Sequence, residues 1–323
     1  MKGEHRIIVQ NSSVKFDFKI RRNITILQGD SATGKTTLVE MIREHYERGS
    51  ASGVEVLCDK TCVTLGGRDW KVLLGAYRDS IVFIDEGNSF VQSNDFSAAV
   101  SSSDNYYVIV TREGLPNLPY SVEEIYGIRM SGKYGALKPV YNELYRIYGK
   151  ELSANVPVIP RTIIVEDSNS GYEFFRDLPE HNYEQVISAR GKSNIHAVLK
   201  QTTDEEVLII ADGAAFGAEM GRVTALLGQR EHTYLYLPES FEWLILKSGR
   251  IDGNEVKMAL EQPENYIESA EYFSWERFFT DLLISQTEGT YLQYLKSSLN
   301  PVYLSKGMRK SILCVMKKLL LTK

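Results

Sequence analysis

Cysteine is scarce in this chain: Cys58, Cys62 and Cys314 are the only three in 323 residues. Three thiols cannot build a disulfide framework, and their spacing offers no four-ligand zinc site. The five histidines, at positions 5, 45, 181, 196 and 232, show no ligand spacing either. No apolar run approaches the roughly 18 residues that a membrane span needs, and the opening segment MKGEHRIIVQ lacks the apolar centre of a signal peptide. Internal repeats and low-complexity tracts are missing as well. These absences set the expectation of a reduced, cytoplasmic protein with no membrane association. A net charge of −5 with 43% hydrophobic residues excludes disorder as the main state. The same small negative charge argues against a general polyanion binder and leaves room for a local basic groove.

The pattern that is present is α/β. Segments 6–10 and 15–20 read as a hairpin around Asn11-Ser12-Ser13, followed by the aliphatic strand ITILQ at 24–28. Residues 35–48 read as a helix with Leu38, Ile42 and Tyr46 on one face. Strands at 54–58, 80–85 and 106–110 alternate with helices at 68–77 and 94–103, and 124–148 is expected to add strands at the sheet edge. Strands separated by helices imply parallel pairing with crossovers. Gly149, Pro157 and Pro160 interrupt the pattern, and the alternation restarts at TIIVE. The expected domains are therefore 1–155, a compact α/β unit at 156–250, and a helical region at 251–323 broken by Pro263, Gly289 and Pro301. Charge divides along the same lines. Residues 1–155 carry 19 basic and 19 acidic side chains, 156–304 carry 12 and 23, and the last 19 residues carry 6 and none.

Residues 29–36, Gly29-Asp30-Ser31-Ala32-Thr33-Gly34-Lys35-Thr36, fit G-x-x-x-x-G-K-[ST] between an aliphatic strand and a helix that continues with Thr37. Glycines at those two positions let backbone N–H groups converge on one concavity, and the helix adds its positive end. Lys35 suits the terminal phosphates, and the Thr36 hydroxyl suits Mg²⁺. Four specified positions match by chance in on the order of one chain in a hundred of this length, and the strand-loop-helix context lowers that further. Downstream, the apolar strand IVFI stops at Asp85-Glu86. Two acids ending a buried strand need a task, because unpaired buried carboxylates are costly. Mg²⁺ for Asp85 and water activation for Glu86 supply one.

Together these motifs resemble the P-loop NTPases, in the branch with an added catalytic Glu. The resemblance covers about residues 1–150 and implies ATP (or GTP) and Mg²⁺ as ligands. It also implies a γ-phosphate-sensing polar residue at the end of the next strand, where Thr111 stands. Arg112 follows, with two readings open: an arginine finger for a neighbouring subunit in a homo-oligomer, or a surface arginine. The chain has no L-S-G-G-Q stretch between the two motifs, which departs from the transporter-type members.

In the second unit, Glu166 and Asp212 end predicted strands, where ligands of open parallel sheets gather. They can share a Mg²⁺ or cap the helices that follow. The runs IIVEDSNSGYEFF, VISARGKSN, VLIIADGAAFGAEM and LPESFEWLIL resemble, in order and spacing, motifs of Toprim domains in the overcoming-lysogenization-defect nucleases. The resemblance implies a Rossmann-like fold with a general acid/base or metal-binding role for Glu166, a metal-binding role for Asp212, a turn lysine at Lys192 and a further acid at Glu242. Position 214 is Ala where the family's second Asp would stand, Asp167 replaces a glycine, and Ala189-Arg190 replace small turn residues. Asp167 or Glu219 is then the candidate replacement ligand, with Glu219 expected on a solvated helix face. An NTPase joined to a Toprim-like unit resembles defence systems against phage and mobile elements. Two functions follow from the resemblances: nucleotide-gated action on nucleic acid, or a nucleotide-switched module that binds a partner protein and has lost its chemistry. Finally, 305–323 forms a basic amphipathic helix with Ile312, Met316 and Leu319 on one stripe, suited to a core-docking helix or to an anionic contact.

Overall fold

The computed structural model describes residues 1–30, 33–131, 140–149, 157–203 and 206–322. It is an α/β structure in two compact units, Met1–Gly149 with Gln262–Ser274, and Lys150–Glu261 with Trp275–Lys323. Residues 150–156, where the sequence pattern breaks, lie outside the described residues.

The first unit opens with the hairpin β1 (His5–Gln10) and β2 (Val14–Ile20), antiparallel from His5↔Ile20 to Gln10↔Lys15. Asn11 closes its turn, its Oδ1 accepting from the N–H groups of Ser13 and Val14. Then come β3 (Ile24–Leu27), α1 (Lys35–Arg48), β4 (Glu55–Leu57), β5 (Thr61–Thr64), α2 (Trp70–Ala76), β6 (Ser80–Ile84), α3 (Asn94–Ser101), β7 (Tyr106–Val110), β8 (Ile125–Ser131) and β9 (Val140–Arg146). All nine strands form one sheet in the order β4-β1-β2-β9-β8-β3-β7-β6-β5. Strands β3, β6 and β7 are buried along their whole length, which is why they read as unbroken apolar runs.

Three expectations are corrected. The sheet is mixed, because β1, β2, β4, β8 and β9 contribute antiparallel pairs. The 124–148 strands sit inside it: β8 pairs with β3, and β9 with β2, so they join the hairpin to the parallel core. Tyr46 is 53% exposed, and α1 buries Leu38, Val39, Met41 and Ile42 instead. Residues 262–274 also belong to this unit. Their backbone takes the N–H of Gly3 on Glu264 O and the Asn23 amide on Phe273 O.

The second unit holds β10 (Thr162–Val165), α4 (Ser170–Arg176), β11 (Gln185–Ser188), α5 (Ile195–Gln201), β12 (Val207–Ile210), α6 (Met220–Leu227), β13 (Thr233–Tyr236) and α7 (Phe241–Lys247). The four strands are parallel, in the order β11-β10-β12-β13. Helices α8 (Asn254–Glu261), α9 (Trp275–Thr287) and α10 (Lys306–Val315) complete the chain, with α7 packed on α9. Among the described residues no helix is long and apolar enough to cross a membrane.

Candidate functional site

In the first sheet β3 is followed through the 29–36 loop by α1. Strands β7, β6 and β5 lie on one side of β3 and β8 on the other. The C-terminal end of β3 is thus a switch point, where open α/β sheets leave a crevice. Gly34 caps α1 with φ 95°, a left-handed backbone that favours glycine, and Gly29 has φ 122°. Lys35, only 6% exposed, folds into the loop. Its Nζ donates to Gly29 O at 2.9 Å, Asp30 O at 2.6 Å and Thr33 Oγ1 at 2.9 Å. Burial pushes its pKa down from the ordinary lysine value, against the pull of Glu86. Among the described residues no carboxylate hydrogen-bonds this ammonium. A buried cation held by carbonyls and a hydroxyl keeps its full positive charge in the loop, a setting that suits an anionic ligand.

The Thr36 hydroxyl meets Asp85 Oδ1 at 3.3 Å, joining the loop to the end of β6. Thr37 is exposed one position further along α1, and Ser31 and Ala32 lie outside the described residues. Strand β7 runs between β3 and β6, so Thr111 stands between the loop and the acid pair. Its N–H bonds Leu27 O, and its hydroxyl turns back to Glu113 O at 2.9 Å, bracing the loop after β7. Glu86 is paired with Arg112, Nε to Oε1 at 2.6 Å, with both side chains exposed. Asp85, Glu86, Thr111 and Arg112 share a cleft of about 290 Å³. The donor set fits a magnesium-bound triphosphate, since Mg²⁺ takes one or two protein oxygens alongside phosphate and water.

In the second unit Glu166 leaves β10 and Asp212 leaves β12, adjacent central strands. The structure brings them together: the Asp212 N–H donates to Glu166 Oε2 at 2.9 Å. The turn after Asp212 is tight. A Cβ on Gly213 would sit 2.8 Å from Leu237 O and 2.9 Å from Pro238 O, so only glycine fits without a shift. Burial raises the Glu166 carboxyl to about 7, offset by the Asp212 N–H and reinforced by Glu276. Asp212 is pushed well above the ordinary range by burial first, then by Glu276, Glu166 and Glu242.

Several neighbours have other tasks. Asp167 caps α4, accepting from the N–H groups of Asn169, Gly171 and Tyr172. Glu219 is 1% exposed and ion-paired to Arg222, correcting the expected solvated face. Lys192 Nζ donates to Ala215 O at 2.7 Å. Glu242, 2% exposed, accepts from Tyr294 Oη at 2.8 Å, and Tyr294 bonds Ser170 Oγ in turn.

The sequence reading missed Lys296 and Glu276. Lys296 Nζ lies 3.0 Å from Glu276 Oε1 and 4.0 Å from Glu242 Oε1, and it lowers the Asp212 pKa. The cation of this acidic corner is therefore a lysine. The cavity bordered by Glu166, Asp167 and Asp212 is about 20 Å³, near the volume of one water. A magnesium ion that keeps several waters does not fit it as it stands. Among the described residues no group of three or more His, Cys, Asp or Glu side chains is arranged to hold a metal ion. No protein-family model matches the chain, and no curated protein matches it.

Proposed function

We propose that the first unit is a P-loop nucleoside triphosphatase and that its nucleotide state switches a Toprim-like second unit which binds a partner without cutting it. The buried Lys35 ammonium, with no carboxylate hydrogen-bonded to it among the described residues, carries the first half of the reading. In the proposed reaction Lys35 exchanges loop carbonyls for phosphate oxygens. Thr36 and Asp85 would hold Mg²⁺, which supplies charge neutralisation on the phosphates when bound. Glu86 takes a proton from the attacking water, and Thr111 orients the loop that faces the terminal phosphate. The nucleotide is ATP in this reading. Lys35→Ala should weaken Mg²⁺–ATP binding at least tenfold, because charge-assisted hydrogen bonds contribute roughly 1.5–3 kcal/mol. Isothermal titration with ATP and Mg²⁺ measures this, and equal affinity in wild type and variant would sink the proposal.

Support for a non-cutting second unit comes from Lys296 among the acids, from Asp167 spent on a helix cap, and from Ala214. A second reading, nucleotide-gated cleavage of nucleic acid at Glu166 and Asp212, draws on the near-neutral Glu166 carboxyl, since perturbed carboxyls cluster at reactive sites. Incubation with DNA or RNA, ATP and Mg²⁺ or Mn²⁺ separates the two. Products that vanish in Glu166→Ala favour cleavage, and intact substrates favour switched binding. The setting implied by the family resemblance is defence against phage and mobile elements, with self-assembly as the means of switching.

A further inference from the structure

Helix α10 ends at Val315, short of the expected 305–323 helix; it buries Met308 (7% exposed) and Ile312 (0%), while Met316 (1%) and Leu319 (8%) are buried in the segment that follows it. Residues of the helix and of the segment after it line a groove of about 620 Å³ within the second unit. Lys306, Arg309, Lys310, Lys317 and Lys318 border that groove, and Glu180 is the one acid among its lining residues. Arg309 reaches Glu180 at 3.5 Å, while Lys306, Lys310 and Lys317 have exposed side chains. At Lys318 the backbone turns through φ 67°, so the cations after α10 share the groove with those on it. The two sequence readings of this segment are thus compatible, because it buries Met308, Ile312, Met316 and Leu319 and leaves Lys306, Lys310 and Lys317 exposed.

Four observations select the partner. Five cations against one acid, on a chain whose net charge is −5, focus positive potential at a single place and call for a polyanion. A membrane surface needs the apolar face of an amphipathic helix, and here that face is spent on the core. Unstacked single strands are held on aromatic platforms, and no aromatic side chain lines this groove among the described residues. Shape recognition of duplex RNA spreads over about 16 base pairs. Helix α10, with ten residues, is about 15 Å long and reaches one stretch of backbone. We infer that this groove binds the phosphate backbone of double-stranded DNA. The inference rests on the partner-binding reading of the second unit and supplies its partner class.

Fluorescence anisotropy of a labelled 24-base-pair DNA with the full chain, without nucleotide, tests it. Wild type should bind, and its affinity should fall about 10²–10³-fold between 50 and 200 mM KCl, as four or five phosphate contacts require. The variant K306Q/K310Q/K317Q should bind at least tenfold more weakly at 50 mM salt, with a log–log salt slope shallower by about 3. No binding by wild type would overturn the inference, as would an unchanged slope in the variant. So would tighter binding of single-stranded DNA or duplex RNA of the same length, or capture by anionic vesicles in place of DNA. The duplex titration is run on wild type without nucleotide, so a failure of the nucleotide reading, seen as unimpaired ATP binding by Lys35→Ala, is separate from a failure of the groove.

Discussion

Glu86→Gln should leave Mg²⁺–ATP binding within a factor of about three of wild type while turnover falls 10²–10⁴-fold, the usual contribution of a positioned general base. The amide keeps the shape of the side chain and loses the ability to take a proton. Titration calorimetry and phosphate release, measured on the same preparation, make the two readouts. Loss of both together would show a collapsed cleft, and retention of both would remove Glu86 from the chemistry. The variant also bears on Arg112, which holds Glu86 at 2.6 Å. Exposed ion pairs contribute about 0–1 kcal/mol, so this one opens at little cost when nucleotide enters. A change of more than about fivefold in turnover is then not expected from Arg112→Ala, because 1 kcal/mol converts to that factor. An arginine finger acting across subunits would instead cost 10³-fold or more. The size of the Arg112→Ala effect therefore decides between an intramolecular partner of Glu86 and a finger for a neighbour.

What was legible in the sequence follows from how parallel sheets bury their strands. ITIL, SIVFI, YYVIV, TIIV and VLII are buried along their whole length, so each stands out as an apolar run, and three of them, SIVFI, TIIV and VLII, stop at or next to an acid. The glycine-rich loop at 29–36 after β3, and the acids after β6, β10 and β12, were readable for that reason. Strand β5, TCVT, gave no such signal: it is four residues long and half polar, and β6 alone pairs with it at the edge of the sheet. Strands β8 and β9 looked peripheral because their outer halves are exposed, yet backbone pairing places them centrally. The cation of the acidic corner was beyond reach for a different reason. Lys296 and Glu276 come from segments far along the chain from Glu166 and Asp212, and an exposed-looking lysine in a polar stretch carries no periodicity. Only the packing of α9 against α7 brings those charges together.

That corner yields a stability prediction with an unusual sign. Burial holds the Glu166 carboxyl near 7, whereas a glutamate in an unfolded chain titrates near 4.3. Between those values the folded state keeps a proton that the unfolded state has released. Stability from this group is therefore full in acid, declines as pH rises from about 4.5 to about 7, and stays low above. The whole effect is about 3–4 kcal/mol, with the pull of Lys192 already inside that value. Glu166→Gln keeps an oxygen for the Asp212 N–H and removes the charge. It should stabilise the second unit by roughly 1–3 kcal/mol at pH 8 and by close to nothing at pH 4.5. Hydrogen exchange of the β10 and β12 amides in EDTA reports this unit alone, and a gain that is absent at pH 8, or equal at both pH values, would contradict the argument. Lys296→Met should move the same amides the other way at pH 8. It strips the counter-ion from Glu242 and Glu276 and leaves their carboxylates facing Asp212, and a charge left without its partner in a mostly buried site is costly. Opposite shifts from removing an acid and removing a base would mark the corner as an over-acidic pocket balanced by lysine, Lys192 acting on Glu166 and Lys296 on Asp212, which is the state expected of a unit that binds and does not cut.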